Sequence, residues 1–142
     1  MEKEIDSEYL IDDDKTLLDY DVIHDVLSSS YWSKGIPFEL MKKSIDNSFC
    51  VGVYHNKAQV GFARVVTDFA LSASLCDVFI IEKHRRKGLS KRLMEFIIDH
   101  PELKTIRSWR LATDDAHGLY SKFGFHISEH PEKLMERKQR VW

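Results

Sequence analysis

The feature that most constrains this chain is the segment HRRKGLSKRLM, residues 84–94, in which one glycine stands among basic residues. The hydrophobic period changes there. Residues 73–81 (ASLCDVFII) are rich in β-branched and aromatic side chains and predict a strand. From Leu89 onward, apolar residues at the spacing i, i+4, i+7 and i+8 predict an amphipathic helix that ends at Pro101. The basic segment is therefore predicted to be a turn between a strand and the start of a helix.

A turn of this kind is suited to hold an anion. The first N–H groups of a helix have no partner inside it, and the helix dipole adds partial positive charge there. Gly88 would let a phosphate approach the main chain where a Cβ would block it. The neighbouring cations that add to the field are Arg85, Arg86, Lys87, Lys91 and Arg92. Taken alone, a charge run is more often a solvated surface, and that alternative stays open at this point.

The composition narrows the classes of protein that remain. With 142 residues, 43% hydrophobic and 31% charged, the sequence predicts one globular domain over residues 1–142. A formal net charge of -2 disfavours a nucleic-acid or membrane-surface partner, because such proteins usually carry a basic excess. No apolar run approaches the roughly 18 residues of a membrane span, and the acidic start does not resemble a signal peptide. A cytoplasmic protein is expected, with Cys50 and Cys76 as reduced thiols.

The other elements predict an α/β (α+β) fold. Strands are predicted at about residues 8–12, in both arms of a hairpin joined at HNK within 48–68, at 73–81 and in 106–113. Helices are predicted at about 20–30, from Pro37 to Ile45, from Leu89 to Pro101 and in 114–123, with Gly124 at a left-handed C-cap. The tail after Phe125 is expected to add one or two strands. This order predicts a mixed, mostly antiparallel sheet of about six to seven strands flanked by about four helices.

Two motifs together resemble those of the GNAT superfamily of acyl-CoA-dependent N-acyltransferases. Arg85-Arg86-Lys87-Gly88-Leu89-Ser90 resembles the R/Q-x-x-G-x-G/A motif of that family. AHGLYSKFGF, residues 116–125, resembles its A-x-x-L-Y-x-x-x-G-F signature. A helix and a strand separate the two motifs, as in the family, and the element order agrees from about residue 8 to residue 140. The resemblance implies a GNAT-like fold with acetyl-CoA as co-substrate and no metal.

The resemblance also implies roles for individual residues. In the family, the strand before the first motif pairs its exposed main chain with the pantetheine arm of the cofactor. The pyrophosphate would rest on the backbone from Arg86 to Lys91, and Tyr120 would donate a proton to the leaving thiolate. The implied cofactor-binding residues are Val78, Phe79, Ile80, Arg85, Arg86, Lys87, Gly88, Leu89, Ser90, Lys91, Thr113 and Ala116.

The sequence departs from the family pattern at four positions. Ser90 replaces a glycine or alanine, and Glu82 stands where many members have proline. Thr113 occupies the place of a frequent asparagine, so the resemblance implies a weaker cofactor contact at this position. Leu75 occupies a position at which some relatives carry a glutamate base. The resemblance therefore leaves the general base open.

The chemistry of amine acylation requires a proton acceptor. An alkyl amine with a pKa of about 10.4 is mostly protonated at pH 7, so a carboxylate, a His or a water chain must take its proton. By the two-residue period, Asp77 is predicted to share a strand face with Leu75 and Phe79, which makes it the first candidate. His117 and His126 are further candidates. A salt bridge from Asp77 to a neighbouring Lys or Arg is the structural alternative.

The acceptor site is predicted around two separate segments. Residues 31–35 follow the first helix and, in the family, the corresponding loop arches over the acceptor. Its aromatic residues are suited to line a small-molecule pocket or face a cation, and equally to cap the core. The guanidinium of Arg64 would suit an acceptor that carries a carboxylate, such as an amino acid. The predicted acceptor-binding residues are Tyr31, Trp32, Phe62 and Arg64.

Three functional hypotheses follow from the sequence. The first is an N-acetyltransferase that moves an acetyl group from acetyl-CoA to a primary amine of a small molecule in a ternary complex. The second is a non-catalytic acyl-CoA-binding sensor or interaction module without a competent base. The third, a nucleic-acid binder, is disfavoured by the net charge. His126 and His130 have zinc-like spacing, but without a Cys pair or HExxH they predict no metal site. A homodimer is the default expectation for the assembly.

Overall fold

One mixed β-sheet organises the molecule. The computed structural model of the chain describes residues 4–5 and 8–142. The strands are β1 (Glu4–Ile5), β2 (Tyr9–Asp12), β3 (Phe49–His55), β4 (Ala58–Thr67), β5 (Ser72–Ile80) and β6 (Ser108–Arg110). They lie in the order β1-β2-β3-β4-β5-β6, and every neighbouring pair is antiparallel except β5 and β6, which are parallel. The predicted mixed, mostly antiparallel sheet is confirmed.

The predicted count of six to seven strands is too high. β1 is only a two-residue bridge, so five strands of three or more residues, β2 to β6, form the body of the sheet. Residues 125–142 are all described and contain no strand, only the short 3-10 turn Pro131–Lys133. A proline lacks the N–H that a ladder needs, and the apolar side chains of this tail are not buried: Ile127 is 77% exposed and Met135 is 95% exposed.

Four α-helices flank the sheet in the described part of the chain. They are α1 (Tyr20–Ser28), α2 (Phe38–Asp46), α3 (Leu89–Ile98) and α4 (His117–Ser121). Asp19 caps α1, because its side chain accepts hydrogen bonds from the backbone N–H groups of Asp21 and Val22. Gly124 follows α4 with φ 86°, the left-handed conformation predicted for it. None of these described helices has the length and apolar character needed to cross a membrane.

The hairpin of β3 and β4 turns where the sequence predicts it. His55 pairs with Ala58, and the two residues between them, Asn56 and Lys57, have φ values of 49° and 71°. Positive φ at both central residues is the geometry of a tight turn whose twist matches that of the flanking strands. Asparagine tolerates this conformation better than most residues, which explains the turn signal in HNK.

The sheet separates two apolar cores. On one face, α3 buries Leu93, Met94 and Ile97 completely against the strands. On the other face, α1 and α2 cover β4 and β5; the fully or almost fully buried residues of this core include Ile23, Leu27, Met41, Ile45 and Phe62. Full burial of such a side chain contributes about 1.5–3 kcal/mol. The strands therefore form a rigid platform held from both sides.

The strands β5 and β6 pair only at one end. Residues 72–74 of β5 lie opposite Ser108, Trp109 and Arg110. From Leu75 to Ile80, the edge of β5 that faces β6 has no strand partner among the described residues. The sheet opens there, and the open edge leads towards the basic turn at the start of α3.

Candidate active site

The basic turn connects β5 to α3, as the sequence predicts. Gly88 occupies the N-cap position of α3 with φ 75° and ψ 15°, a left-handed conformation that favours glycine. No side chain caps this helix start. A Cβ placed on Gly88 would meet no atom within 4 Å, so the space in front of the helix is open. The first N–H groups of α3 therefore face an open, basic region that is suited to an anion.

A cleft of about 290 Å³ lies at this helix start. It is lined by Ile80, His84, Arg85, Arg86, Gly88, Leu89, Ser90, Lys91, Leu119 and Lys122. The last two residues belong to α4 and its C-cap, within the second sequence motif. The fold thus brings the two motifs together at one cleft.

Arg85 has a contact that the sequence did not predict. Its Nε donates a hydrogen bond to the main-chain oxygen of Ile80 at 2.8 Å. This bond fixes the arginine against the end of β5. It also occupies the main-chain oxygen of Ile80, one of the groups expected to pair with a pantetheine arm. Phe79 pairs with Phe62 of β4, so Val78 carries most of that expectation.

A β-bulge bends β5 at Asp77. The pairing with β4 passes from Phe79 opposite Phe62 to Cys76 opposite Arg64, so β5 holds one extra residue. Asp77 has φ 55°, a left-handed conformation that aspartate tolerates better than β-branched residues do. The bulge breaks the two-residue alternation. Leu75 packs in the core beneath α3, whereas Phe79 packs in the core beneath α1 and α2. The prediction that Leu75, Asp77 and Phe79 share one face is therefore wrong for Leu75.

The carboxylate of Asp77 is engaged at both oxygens. The Nε of Arg64 donates to its Oδ2 at 2.7 Å, and the indole Nε1 of Trp32 donates to its Oδ1 at 2.9 Å. The Nη1 of Arg64 also donates to the hydroxyl of Ser48 at 3.1 Å. The Asp77 and Arg64 side chains are 7% and 17% exposed. The structure thus brings together three predicted site residues and forms the ion pair that was the structural alternative for Asp77.

The two remaining acceptor candidates differ in exposure. Phe62 is 0% exposed and lies against Phe79, with ring centroids 6.0 Å apart, so it offers no surface to an acceptor. Tyr31 is 71% exposed and packs edge-to-face on Trp32 at 5.1 Å. Partial loss of hydration, then the charge of Asp114 and a hydrogen bond with it, raise the pKa of Tyr31. The loop after α1 therefore faces the loop before α4.

Tyr120 lies in α4 and is 8% exposed. Its ring packs on Phe125, with centroids 6.0 Å apart. Burial and then the negative charge of Asp115 raise the pKa of Tyr120. The phenol is consequently protonated throughout the neutral range, and its hydroxyl forms no hydrogen bond within the described part of the chain. It is available as a proton donor.

Other predicted residues have local roles. The Thr113 hydroxyl accepts a hydrogen bond from the backbone N–H of Ala116 at 3.0 Å, which orders the chain just before α4. His117 is exposed, and the exposed His126 contacts the neighbouring oxygen of Ile127 through Nδ1 at 3.0 Å. Cys50 and Cys76 are free thiols, and burial raises the pKa of Cys50 to about 11.

His126 and His130 belong to no described group of three metal-binding side chains. The one such group in the described residues is Asp13, His100 and Glu102. Both ring nitrogens of His100 are in use there: Nε2 lies 2.6 Å from Asp13 Oδ2, and Nδ1 accepts from the backbone N–H of Glu102. These two contacts satisfy both ring nitrogens of the buried imidazole.

Two features of the site were missed by sequence reasoning. His84 lines the cleft and is held by Tyr9, whose Oη lies 2.8 Å from His84 Nδ1. Burial, followed by the nearby His55 and Lys83, lowers the pKa of His84. Trp142 reaches the loop after α1 from the far end of the sequence. His84 belongs to the basic segment, so the sequence offered a signal for it. No local pattern could reveal the contact of Trp142 with Lys34, because 108 residues separate the two.

Comparison with known proteins agrees with this geometry. Residues 46–127, more than half of the chain, match the family model described as an acetyltransferase (GNAT) domain. A protein of Xanthomonas campestris pv. campestris, described as belonging to the GNAT family, has a crystal structure with a TM-score of 0.89 to this one. It is 44% identical, and the match covers 92% of this chain and 93% of that chain.

Two further relatives come from other groups of organisms. A protein of Gibberella zeae whose name designates it an acetyltransferase is 27% identical over 139 residues, covering 81% of this chain and 77% of that protein. An uncharacterized N-acetyltransferase of the ycf52-like type from Prochlorococcus marinus is 34% identical over 86 residues, covering 57% of this chain and 47% of that protein.

The open sheet, the basic cleft and these matches define the class of the molecule as an acyl-CoA-dependent acetyltransferase. The chain belongs to the GNAT family.

Proposed function

We propose that the protein transfers an acetyl group from acetyl-CoA to a primary amine of a small molecule, with both substrates bound at once. The observation that carries this proposal is the cleft that joins the uncapped start of α3 to the second motif, beside the open edge of β5. This arrangement suits a ligand with a diphosphate at one end and a reactive thioester at the other.

The residues of the cleft fit the diphosphate of coenzyme A. The N–H groups at the start of α3 lack a cap, and the space before Gly88 is open. Arg86, Lys87 and Lys91 add positive charge that complements phosphate oxygens. The open edge of β5 at Val78 is suited to hydrogen-bond an amide of the pantetheine arm, whereas Phe79 pairs with Phe62 of β4. Thr113 and Ala116, two further candidates for cofactor binding, lie in the segment between β6 and α4.

The transfer step needs two proton movements. Attack of the neutral amine on the thioester carbonyl forms a C–N bond, and collapse breaks the C–S bond. Tyr120 donates its hydroxyl proton to the departing thiolate, and its raised pKa keeps that proton in place at neutral pH. A backbone N–H near the bulge, such as that of Ile80, is suited to stabilise the oxyanion.

Asp77 is better suited to a positioning role than to that of the base. Its two oxygens already accept hydrogen bonds from Arg64 and Trp32, so proton uptake would weaken both contacts. We assign Asp77 the task of holding Trp32 at the edge of the site. The proton of the amine then passes to a water chain, one of the acceptors that the chemistry allows.

The surroundings of Trp32 favour a cationic acceptor over an acidic one. Arg64 is already neutralised by Asp77, which reduces its attraction for a carboxylate. Tyr31 and Trp32 expose aromatic surface, and Asp114 lies near Tyr31. Aromatic faces beside a carboxylate suit an ammonium group.

A second candidate function is a non-catalytic acyl-CoA sensor. Two observations favour it: both oxygens of Asp77 already accept hydrogen bonds, and position 75 is a leucine, which has no carboxylate. Neither position then supplies a free carboxylate base. In this case the cleft would bind the cofactor without turnover. The assembly as a homodimer stays a prediction under either function.

One experiment separates these functions. The protein is incubated with acetyl-CoA and a panel of mono-, di- and polyamines, amino acids and amino sugars, while free thiol release is followed. The thermal midpoint is measured in parallel with and without coenzyme A. Turnover on an amine supports the enzyme, stabilisation without turnover supports the sensor, and neither response contradicts both.

A further inference from the structure

The loop between α1 and α2, residues 29–37, is held by its own backbone at its centre. The N–H of Gly35 donates to the oxygen of Ser28 at 2.9 Å, and the N–H of Ile36 donates to that of Ser33 at 3.0 Å. Gly35 has φ 74°, which favours glycine. These bonds define a compact loop that projects Tyr31 and Trp32.

The same loop is fastened to the sheet by Trp32. Its indole bond to Asp77 spans 45 residues of sequence and ends on the bulge of β5. The loop therefore lies beside the open edge of β5. Any molecule that approaches that edge from this side meets the aromatic rings of Tyr31 and Trp32.

The far end of the chain supplies a third attachment. The indole Nε1 of Trp142 donates to the main-chain oxygen of Lys34 at 2.8 Å, across 108 residues of sequence. The ring also lies over Gly35: a Cβ placed there would be 3.8 Å from Cδ1 of Trp142. Trp142 is 46% exposed, whereas its neighbour Val141 is 66% exposed. Trp142 is thus a residue of the tail that contacts this loop.

We propose that Trp142 is a positioning residue that fixes the α1–α2 loop, so that the C-terminal segment contributes to acceptor binding. A hydrogen bond at Lys34 and a ring against Gly35 restrict the loop at a second point, separate from the bond between Trp32 and Asp77. With both attachments in place, the rings of Tyr31 and Trp32 are held at the edge of the site. The acceptor part of this inference rests on the proposed function; the fastening of the loop does not.

Three variants test the inference. Trp142→Phe keeps a ring on Gly35 and removes the donor to Lys34, while Trp142→Ala removes both. Val141→Ala is the matched control, because it shortens an exposed neighbour and leaves the indole intact. The midpoint of thermal unfolding is measured for each variant to establish that it is folded.

The first readout is amide hydrogen exchange at Gly35 and Ile36, which needs no substrate. We expect faster exchange in Trp142→Phe and faster still in Trp142→Ala, by about tenfold or more, with no change in Val141→Ala. Unchanged exchange in folded Trp142→Ala overturns the inference. This measurement shows whether Trp142 fixes the loop even if the protein acetylates no amine.

The second readout is steady-state kinetics with an amine that the wild-type protein acetylates. The acceptor KM is expected to rise about tenfold in Trp142→Ala, while the KM for acetyl-CoA and kcat change little. Faster exchange with an unaltered acceptor KM overturns the link to acceptor binding. If no amine is acetylated by the wild-type protein, the proposed function fails separately, and hydrogen exchange alone decides whether Trp142 fixes the loop.

Discussion

Trp32 and Asp77 are joined by a hydrogen bond of 2.9 Å from the indole Nε1 to Oδ1, although 45 residues separate them in sequence. The bond connects the α1–α2 loop to the bulged residue of β5, which also pairs with Arg64. The carboxylate thereby links the α1–α2 loop to Arg64 on β4. In the proposed function, Asp77 therefore serves to position Trp32 and Arg64.

Asp77→Asn tests this positioning role. The variant loses the charge that pairs with Arg64 in a mostly buried site, and we expect the free energy of unfolding to fall by about 2 kcal/mol. The acceptor KM should rise while the pH dependence of kcat keeps its shape. The measurements are denaturant unfolding and a pH–rate profile.

Trp32→Phe is the matched control for Asp77→Asn, because it removes only the indole donor. It should lower the free energy of unfolding by about 1 kcal/mol and raise the acceptor KM. A loss of the acidic limb of the pH–rate profile in Asp77→Asn alone would identify Asp77 as the base and contradict the positioning role.

Tyr120→Phe tests the proton donor. We expect kcat to fall by about a hundredfold, in line with the loss of a general acid, because Phe leaves the departing thiolate without a proton. The packing on Phe125 should persist, so coenzyme A affinity should stay within about twofold. Since the pKa of Tyr120 is raised, its ionisation should not limit the wild-type rate until the pH exceeds the ordinary tyrosine value of 10.0. A variant with wild-type kcat would remove Tyr120 from the chemistry.

Much of the fold could be predicted from local sequence patterns. The period change at Leu89 and the turn in HNK are short-range signals, and each element they indicate lies where it was predicted. The strand count failed in the tail, because exposed positions such as Met135 and the proline at 131 leave no buried face to pair.

The site was only partly predictable, because its residues are positioned by long-range contacts. The two motifs indicated the cleft, since each is a contiguous segment. The bulge at Asp77 was not foreseen, and a single extra residue reverses every face assignment beyond it. The attachment of Trp142 to Lys34 depends on the path of an irregular tail, for which no periodicity exists.

Tyr54→Phe is predicted to stabilise the protein. Tyr54 is 4% exposed, and its buried hydroxyl has no hydrogen-bond partner within the described part of the chain. Removing an unsatisfied polar group should raise the free energy of unfolding by about 1 kcal/mol at pH 7. Denaturant unfolding of the two proteins measures the difference, and a loss of stability would show that the hydroxyl has a favourable partner.

The same variant should change the stability at high pH. Burial, then the charges of Asp12 and Asp14, raise the pKa of Tyr54 in the folded state. Because the folded pKa lies above the unfolded one, this contribution to stability is complete below about pH 10 and is lost as the pH rises beyond it. Tyr54→Phe should therefore lose less stability than the wild-type protein between pH 9 and the alkaline limit.

Calorimetric titration of coenzyme A into Gly88→Glu tests whether the start of α3 binds the diphosphate of the cofactor. The substitution places a bulky anion at a left-handed position in the open mouth of the cleft. Gln139→Glu, on the exposed tail, adds the same charge elsewhere and is the control. We predict a dissociation constant raised at least about tenfold in folded Gly88→Glu and unchanged in the control. Equal affinity in both variants would show that the start of α3 does not bind the diphosphate.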